Sequence, residues 1–250
     1  MPIALDRAEF NVLWRRMELG ARPLVLVTAE HGSTLDEAGQ VDDAAWAALG
    51  ARQLVGDDGT VHPDLDLALR VVSQPSVAVD LRWATGPGRE VRALSAVRGE
   101  TGILAVLADD VVHLDLVRDT AFVDAAVGVL PPTPPGPGTA VNVPSGAVEE
   151  ATRQGGDDYD FESALLDAGV RASEARLLVD MVGGDRVAAG QFGASSWDQW
   201  GARTRAPWVI SVTDTPRGRY AFYERSGWLT VAPVDHHRLV DLLRELVRSL

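Results

Sequence analysis

Residues 101–130 read TGILAVLADDVVHLDLVRDTAFVDAAVGVL, and residues 218–247 read GRYAFYERSGWLTVAPVDHHRLVDLLRELV. The two stretches align without a gap. Ile103 meets Tyr220, Ala105 meets Phe222 and Val111 meets Trp228; Val112, Leu114, Phe122 and Val123 meet Leu229, Val231, Leu239 and Val240. Identities are few, yet strand, turn, strand and closing helix all keep register, which is more than two chance hairpins share. The reading is a pseudo-two-fold α/β protein of α+β type. Two meanders join into one central, mostly antiparallel sheet, each covered by its own helices on one face, with the other face left less covered and available.

Working outward, both halves follow the order helices, meander, helix. Asp6 caps a first helix with Glu9 at capping-box spacing, and Phe10, Leu13, Trp14 and Met17 form its apolar face. Pro23 to Val27 reads as a short strand and 30–42 as loop, with a second helix starting at Asp42 or Asp43 and a third after Pro63. Val77, Val79, Leu81 and Trp83 alternate with Ala78, Asp80 and Arg82, the pattern of a half-buried strand. Gly86-Pro87-Gly88 closes a hairpin, and strands follow near 90–97, 102–107 and 111–116. Residues 131–139, PPTPPGPGT, are a linker of polyproline II type, because proline has no N–H and a fixed φ. It separates pseudo-repeat halves 1–130 and 140–250 of a single domain. Beyond it, 140–143 is a strand and 149–160 a mobile acidic loop. Ser173 caps a helix that Gly183-Gly184 ends. Four strands follow near 186–195, 207–213, 219–224 and 228–232, and Asp235 starts a Leu-rich final helix.

The totals restrict the chemistry. The 250 residues carry a formal net charge of −13, a surface that repels nucleic acid and anionic lipid. All 23 basic residues are Arg, so Schiff-base and P-loop lysines are excluded; the absence of Cys excludes thiolate chemistry and disulfides. Asp6 and Arg7 stand where a signal peptide needs an apolar run, and no 18-residue apolar stretch occurs, which together favour the cytoplasm.

No catalytic pattern emerges. His31, His62, His113, His236 and His237 show no metal-ligand spacing, and no Gly-x-Ser-x-Gly elbow is present. Asp64 and Asp66 suit a helix start, and Asp157-Asp158 reads as solvated acid. Gly183-Gly184 and Gly190-Gln191-Phe192-Gly193 precede no helix in a phosphate-binding pattern. The seven Trp are the unusual feature. Trp197 and Trp200, in SSWDQWGARTR, stand out as candidates for exposure, since Trp and Arg concentrate at interface hot spots.

The ordered motifs resemble the EspG family of type VII (ESX) secretion chaperones over residues 5–249. They are the Phe10-x-x-Leu13-Trp14 helix, Trp46 before an acidic turn, and Val77-Ala78-Val79-Asp80-Leu81-Arg82. The proline-rich midpoint leads into Ala140-Val141-Asn142-Val143-Pro144. Then come Gly190-Gln191-Phe192-Gly193, Asp214-Thr215-x-x-Gly218-Arg219-Tyr220, Gly227-Trp228-Leu229-Thr230-Val231-Ala232-Pro233 and the Leu-rich end. The resemblance implies a central antiparallel sheet flanked by two helical bundles with quasi-two-fold symmetry. It implies a cytosolic actinobacterial chaperone, without catalysis or cofactor, that binds the hydrophobic tip of PPE proteins in PE–PPE dimers, keeps them soluble and directs them to their ESX system. The short chain resembles members from outside the mycobacteria, where another helical-hairpin substrate with a similar tip would serve as partner.

Strand position and side-chain type, not motif matching, nominate the partner-binding residues: Arg82, Trp83 and Arg92 near the Gly86-Pro87-Gly88 loop, and Thr213, Asp214, Arg219 and Trp228 in the related meander. The alternatives are a scaffold that pairs with itself through a sheet edge as a homodimer, and a cofactor-free hydrolase.

Overall fold

The computed structural model describes residues 2–250, with eight α-helices and eleven strands among them. The strands belong to one eleven-stranded antiparallel sheet. The chain folds as two compact units. The first holds the chain up to Arg82, Arg89–Val129 and Ala194–Arg205; the second holds Trp83–Gly88, Leu130–Gly193 and Ala206–Leu250. The division falls at the proline-rich segment, except that each unit claims one short piece from the other's half of the sequence.

In the first unit β1 (Ile3–Asp6) runs into α1 (Arg7–Arg16), followed by a 3-10 turn (Leu24–Leu26), α2 (Leu35–Ala51) and α3 (Pro63–Ser73). The meander comprises β2 (Val77–Gly86), β3 (Arg89–Arg98), β4 (Thr101–Ala108) and β5 (Val111–Arg118), and α4 (Phe122–Val127) follows. The strand order is β1-β5-β4-β3-β2. Phe10, Leu13, Trp14, Leu65, Leu69 and Val72 of the helices pack on Ala78, Leu94, Ala96, Ile103, Ala105 and Val112. The capping box forms as expected: Asp6 Oδ1 accepts from Glu9 N at 2.8 Å and Glu9 Oε2 accepts from Asp6 N at 3.0 Å.

The second unit repeats this order. β6 (Val141–Pro144) leads into α5 (Ser145–Gln154), α6 (Asp158–Asp167) and α7 (Ala172–Val182). Then come β7 (Ala188–Trp197), the short β8 (Arg203–Arg205), β9 (Ile210–Thr215), β10 (Gly218–Arg225), β11 (Trp228–Pro233) and α8 (His236–Arg248); of these, β8 and the end of β7 from Ala194 belong to the first unit. Its order is β7-β9-β10-β11-β6. Val141, Val143, Ala151, Leu165, Leu178, Met181, Tyr220 and Val231 make its helix-side core. The two-residue turns match as well. Asp109-Asp110 and Ser226-Gly227 all have positive φ (48°, 61°, 52° and 80°), the pattern of a type I′ turn, whose twist suits a hairpin. Ser76 N donates to Val97 O at 2.7 Å, and at the matching place Val187 N donates to Asp214 O at 2.8 Å.

Several expectations are corrected. Pro23–Val27 is no strand: Leu26 N donates to Pro23 O at 2.8 Å and the segment curls into a 3-10 turn with Val25 and Leu26 buried. α2 begins at Leu35, because Thr34 caps it by accepting from Glu37 N. The acidic stretch 149–160 is the end of α5, a Gly155-Gly156 break, and the start of α6 with an Asp157/Asp160 capping box. The residue before α7 is Arg171, so Ser173 lies inside the helix and does not cap it. β1 carried no recognised signal.

The expectation of a bare sheet face is also corrected. On β3, Leu94 and Ala96 face α1–α3, while Ala93 and Ser95 on the opposite side are buried too, and Ser95 Oγ donates to Phe122 O beside α4 at 2.7 Å. In the second unit Ile210, Val212, Ala221 and Ala232 are buried on the side away from α5–α7. On that side Arg225 of β10 is joined to Glu245 of α8 at 2.9 Å. The closing helix of each repeat therefore goes with the second face, and only a margin of it stays open.

The proline-rich segment is a docked strap within the second unit. Gly136 N donates to Arg219 O and Arg219 N to Pro134 O, at 3.1 and 2.8 Å, so the strap runs beside the start of β10. Gly136 is required there: a Cβ would sit 2.1 Å from Tyr220 Cζ.

Candidate partner-binding surface

Three of the residues nominated for partner contact lie inside the second unit. Arg219 and Asp214 are 2% and 4% exposed and form a two-pronged ion pair, with Nε–Oδ1 at 2.7 Å and Nη2–Oδ2 at 2.9 Å. Thr133 of the strap donates to Asp214 at 3.0 Å, and Arg219 donates to Pro131 O at 2.8 Å. Trp83 is buried, its ring centroid 5.7 Å from the Arg219 guanidinium carbon. Asp214 and Arg219 hold the strap against β9 and β10, Trp83 packs beside Arg219, and all three are buried. Thr213 is half-buried on the helix-facing side of β9.

Arg82 and Arg92, in the first unit, share Glu90. Arg82 is exposed and holds it through Nε at 3.0 Å, and this pairing raises its pKa, first by hydrogen bonding and then by charge. Arg92 approaches Glu90 at 3.6 Å and donates to Val27 O at 2.8 Å, tying β3 to the 3-10 segment whose Leu24 and Val27 point outward.

Trp228 is 52% exposed and belongs to a larger cluster. It stands opposite Arg225 in the β10–β11 ladder, so both side chains share the face away from α5–α7. Arg225 stacks on Trp208, 3.8 Å from the ring centroid, and lies 5.1 Å from that of Tyr223; the two rings are 5.7 Å apart. Trp208 reaches this position from the irregular stretch between β8 and β9, where Pro207 cannot donate to a ladder. Thr230 and Asn142 bond to each other at 2.6 Å on the same face. The strip Trp208–Tyr223–Arg225–Trp228 is the open margin of the second face. Sequence reading missed all but Trp228, although the repeat held the signal: the matching first-half positions are Val91, Val106, Ala108 and Val111. An aromatic-cationic set in one copy against small aliphatics in the other marks where the copies diverged.

On the opposite side of the same hairpin the helices leave a groove. One hollow of about 380 Å³ is walled by Val148, Ala151 and Thr152 of α5, Phe161, Leu178, Phe222 and Leu229. A second of about 390 Å³, sharing Val148, Thr152 and Leu229, opens past Glu149 and Glu224. Trp200, expected to be exposed, is 83% so, on a loop that Asp198 Oδ1 pins by accepting from Trp200 N and Ala202 N; Trp197 packs against the first unit's core. Among the described residues no group of three or more His, Cys, Asp or Glu is placed to hold a metal, and no helix is long and apolar enough to cross a membrane.

This arrangement defines a class: a duplicated α/β scaffold that exposes an aromatic and arginine strip on one face of its second meander and an apolar groove on the other. The model of the EspG family matches residues 6–245, and the chain belongs to that family. A search of curated proteins gives no match. Among solved structures, the chain is similar to the Mycobacterium tuberculosis type VII secretion system chaperone EspG5, solved in complex with a PE25-PPE41 dimer. The two are 20% identical with a TM-score of 0.77, over 100% of this chain and 97% of that one. The likeness establishes the fold. The family assignment gives the general role, that of an EspG-family chaperone.

Proposed function

We propose that the protein holds the apolar tip of a helical-hairpin secretion substrate of PE/PPE type, keeps it from aggregating and presents it to an ESX system from the cytoplasm. The observation that carries this is the Trp208–Tyr223–Arg225–Trp228 strip, present in one half of the repeat and absent from the other. Trp, Tyr and Arg are the side chains that dominate interface energetics, and a greasy tip left exposed aggregates. EspG5, which shares the fold, was solved with a PE25-PPE41 dimer, which supports the same partner class here. Arg82, Arg92 and Thr213 remain nominated as further contacts, with Trp228 as the anchor. Self-pairing through a sheet edge has little to work with: the outer strands β1 and β6 are four residues each, and β6 ends in Pro144.

Co-expression with a PE/PPE-type pair tests the reading. A complex that co-elutes on size exclusion and is lost on Trp228→Ala or Arg225→Glu, with the variants still folded, is the expected result. Absence of any complex, or a complex indifferent to both changes, overturns it.

A further inference from the structure

The proline-rich strap has a pattern of burial that a linker does not need. Leu130 is buried, Thr133 is half-buried with its hydroxyl on Asp214, and Gly136 is buried. Pro131, Pro132, Pro134 and Pro135, which lie between them, are all exposed. Inward positions three apart are the mark of a polyproline II helix, which has three residues per turn and so three edges. One edge, Leu130–Thr133–Gly136, faces the protein. The other two, Pro131–Pro134–Pro137 and Pro132–Pro135, face water. Every non-proline residue of 130–136 is turned in and every proline is turned out. Chain stiffness alone would not sort them this way, because a proline fixes φ wherever its ring points.

The strap docks through its backbone and its inward edge. Arg219 Nη2 donates to Pro131 O at 2.8 Å, Arg219 N to Pro134 O at 2.8 Å, and Gly136 N to Arg219 O at 3.1 Å. Tyr220 Oη donates to Pro137 O at 3.1 Å. Gly218 allows the approach: a Cβ there would stand 2.6 Å from Gly136 N and 2.8 Å from Pro134 O. Strap and β10 therefore meet backbone to backbone, and the proline rings take no part in the docking bonds.

A polyproline II segment held in this way is ordered before any partner arrives, so little ordering entropy is lost on binding. Aromatic-lined grooves read such segments by taking up two of the three edges, as pairs of residues three apart, with the third edge turned away. Pro131-Pro132 and Pro134-Pro135 are two such pairs, and the third edge is the one that the protein's own fold occupies. A cation stands beside them. Arg217 is exposed, directly precedes Gly218 and donates to the Asp180 carbonyl at 2.9 Å. Its charge complements a groove with an acidic border.

We propose that the strap is a second docking surface, for a small domain whose aromatic-lined groove reads polyproline II and has an acidic border. The site lies at the Gly218 end of β10, and Arg225 of the aromatic strip lies at the other end. At about 3.4 Å per residue the two are roughly 24 Å apart, which leaves room for both surfaces to be engaged at once.

The probe is an isolated SH3 domain of the kind that reads PxxP with a neighbouring Arg. The full-length protein is titrated into the isotope-labelled domain, and the indole N–H of its groove Trp is followed by NMR. A saturable shift at sub-millimolar protein is expected. The double variant Pro132→Ala, Pro135→Ala strips one edge and weakens binding by about tenfold or more. Neither proline contributes to the docking bonds, so the fold is kept; should the double variant not fold, Pro135→Ala alone weakens binding several-fold. Arg217→Glu weakens it several-fold in low salt and less in high salt. A groove Trp that stays still up to millimolar protein, or that moves equally with the proline variants, overturns the proposal. Loss of a PE/PPE-type complex in the double variant overturns the separateness of the two surfaces.

Discussion

Replacing Asp214 by Asn tests whether the buried ion pair, rather than proline stiffness, holds the strap in place. The Asp214 and Arg219 side chains are 6% and 3% exposed, and both prongs of the pair are shorter than 3 Å. Removing the carboxylate charge leaves a guanidinium in the interior, which costs about 3–5 kcal/mol when a buried pair is broken. At about 2–4 °C per kcal/mol for a chain of this size, the melting temperature falls by roughly 6–20 °C. The double variant Asp214→Leu, Arg219→Met removes both charges and so lies above the single variant. It does not reach the parent, because Pro131 O loses its donor at a cost of about 1–3 kcal/mol. Urea unfolding of the parent, Asp214→Leu, Arg219→Met and the double variant measures the cycle, and limited proteolysis within 131–138 of Asp214→Asn reports whether the strap has lifted. A loss below about 1 kcal/mol in the single variant, or a double variant worse than the sum of the singles, refutes the reasoning.

Trp228→Ala and Arg225→Glu each weaken binding of a PE/PPE-type substrate by at least about thirtyfold, the mark of a hot spot; Trp228→Ala leaves thermal stability unchanged, Arg225→Glu lowers it slightly by facing Glu245, and calorimetric titration checks both affinities. Asp6→Ala removes the α1 cap and costs about 1 kcal/mol in urea unfolding. Burial raises the Tyr220 pKa above its ordinary value of 10.0, Asp180 adds to this and Arg217 opposes it. The folded state therefore keeps the phenol proton longer than the unfolded state. The associated stability is complete below about pH 10 and is lost as pH climbs through the folded value. Tyr220→Phe lowers stability slightly at pH 8 by losing the bond to Pro137 O, and narrows the gap to the parent as pH rises past 10; parallel unfolding midpoints across that range test it.

Where the sequence was readable, local physics and tertiary packing agreed. β4 and β5 alternate and the two-residue turns fix register, so the order of the meander could be read directly even though β3 and β10 are buried on both faces. The Asp6–Glu9 box and the Asp235 cap announced their helices. Misreadings fell where context overrides local signal. Pro23-Leu-Val-Leu-Val has strand composition but no free ladder beside it, so burial of Val25 and Leu26 wins and the segment curls. The acids and glycines of 149–160 read as disorder because α5 and α6 meet at a two-glycine break. Of the nominated site residues, Trp83, Asp214 and Arg219 have the side chains of an interface but the environment of a core. Alternation along a strand cannot tell a face open to a partner from one covered by a helix from the end of the same repeat. The aromatic strip was within reach, since comparing the two halves position by position isolates Trp208, Tyr223 and Arg225 against Val91, Val106 and Ala108.

The duplication explains why the exposed chemistry is one-sided. Turns, strand register and cap positions are shared by both halves because each is needed to make a meander with helices on it, and a change there unfolds the unit that carries it. What covers the helix-facing surface is not constrained in the same way. The first half packs Phe10, Leu13, Trp14, Val25 and Leu26 into its core and keeps an open hollow among Arg16, Trp46 and Pro63. The second half carries Val148, Ala151 and Thr152 in their place and a three-residue link, and a surface groove runs along α5. A stable unit tolerates such a gap because its remaining core, from Leu165 and Met181 to Tyr220 and Val231, is closed and the Asp214–Arg219 pair binds the strap beside it. A groove on one face of the β10–β11 hairpin and an exposed aromatic strip on the other both leave apolar surface in water. The proposed role, holding another chain's apolar tip, gives that exposed surface a use.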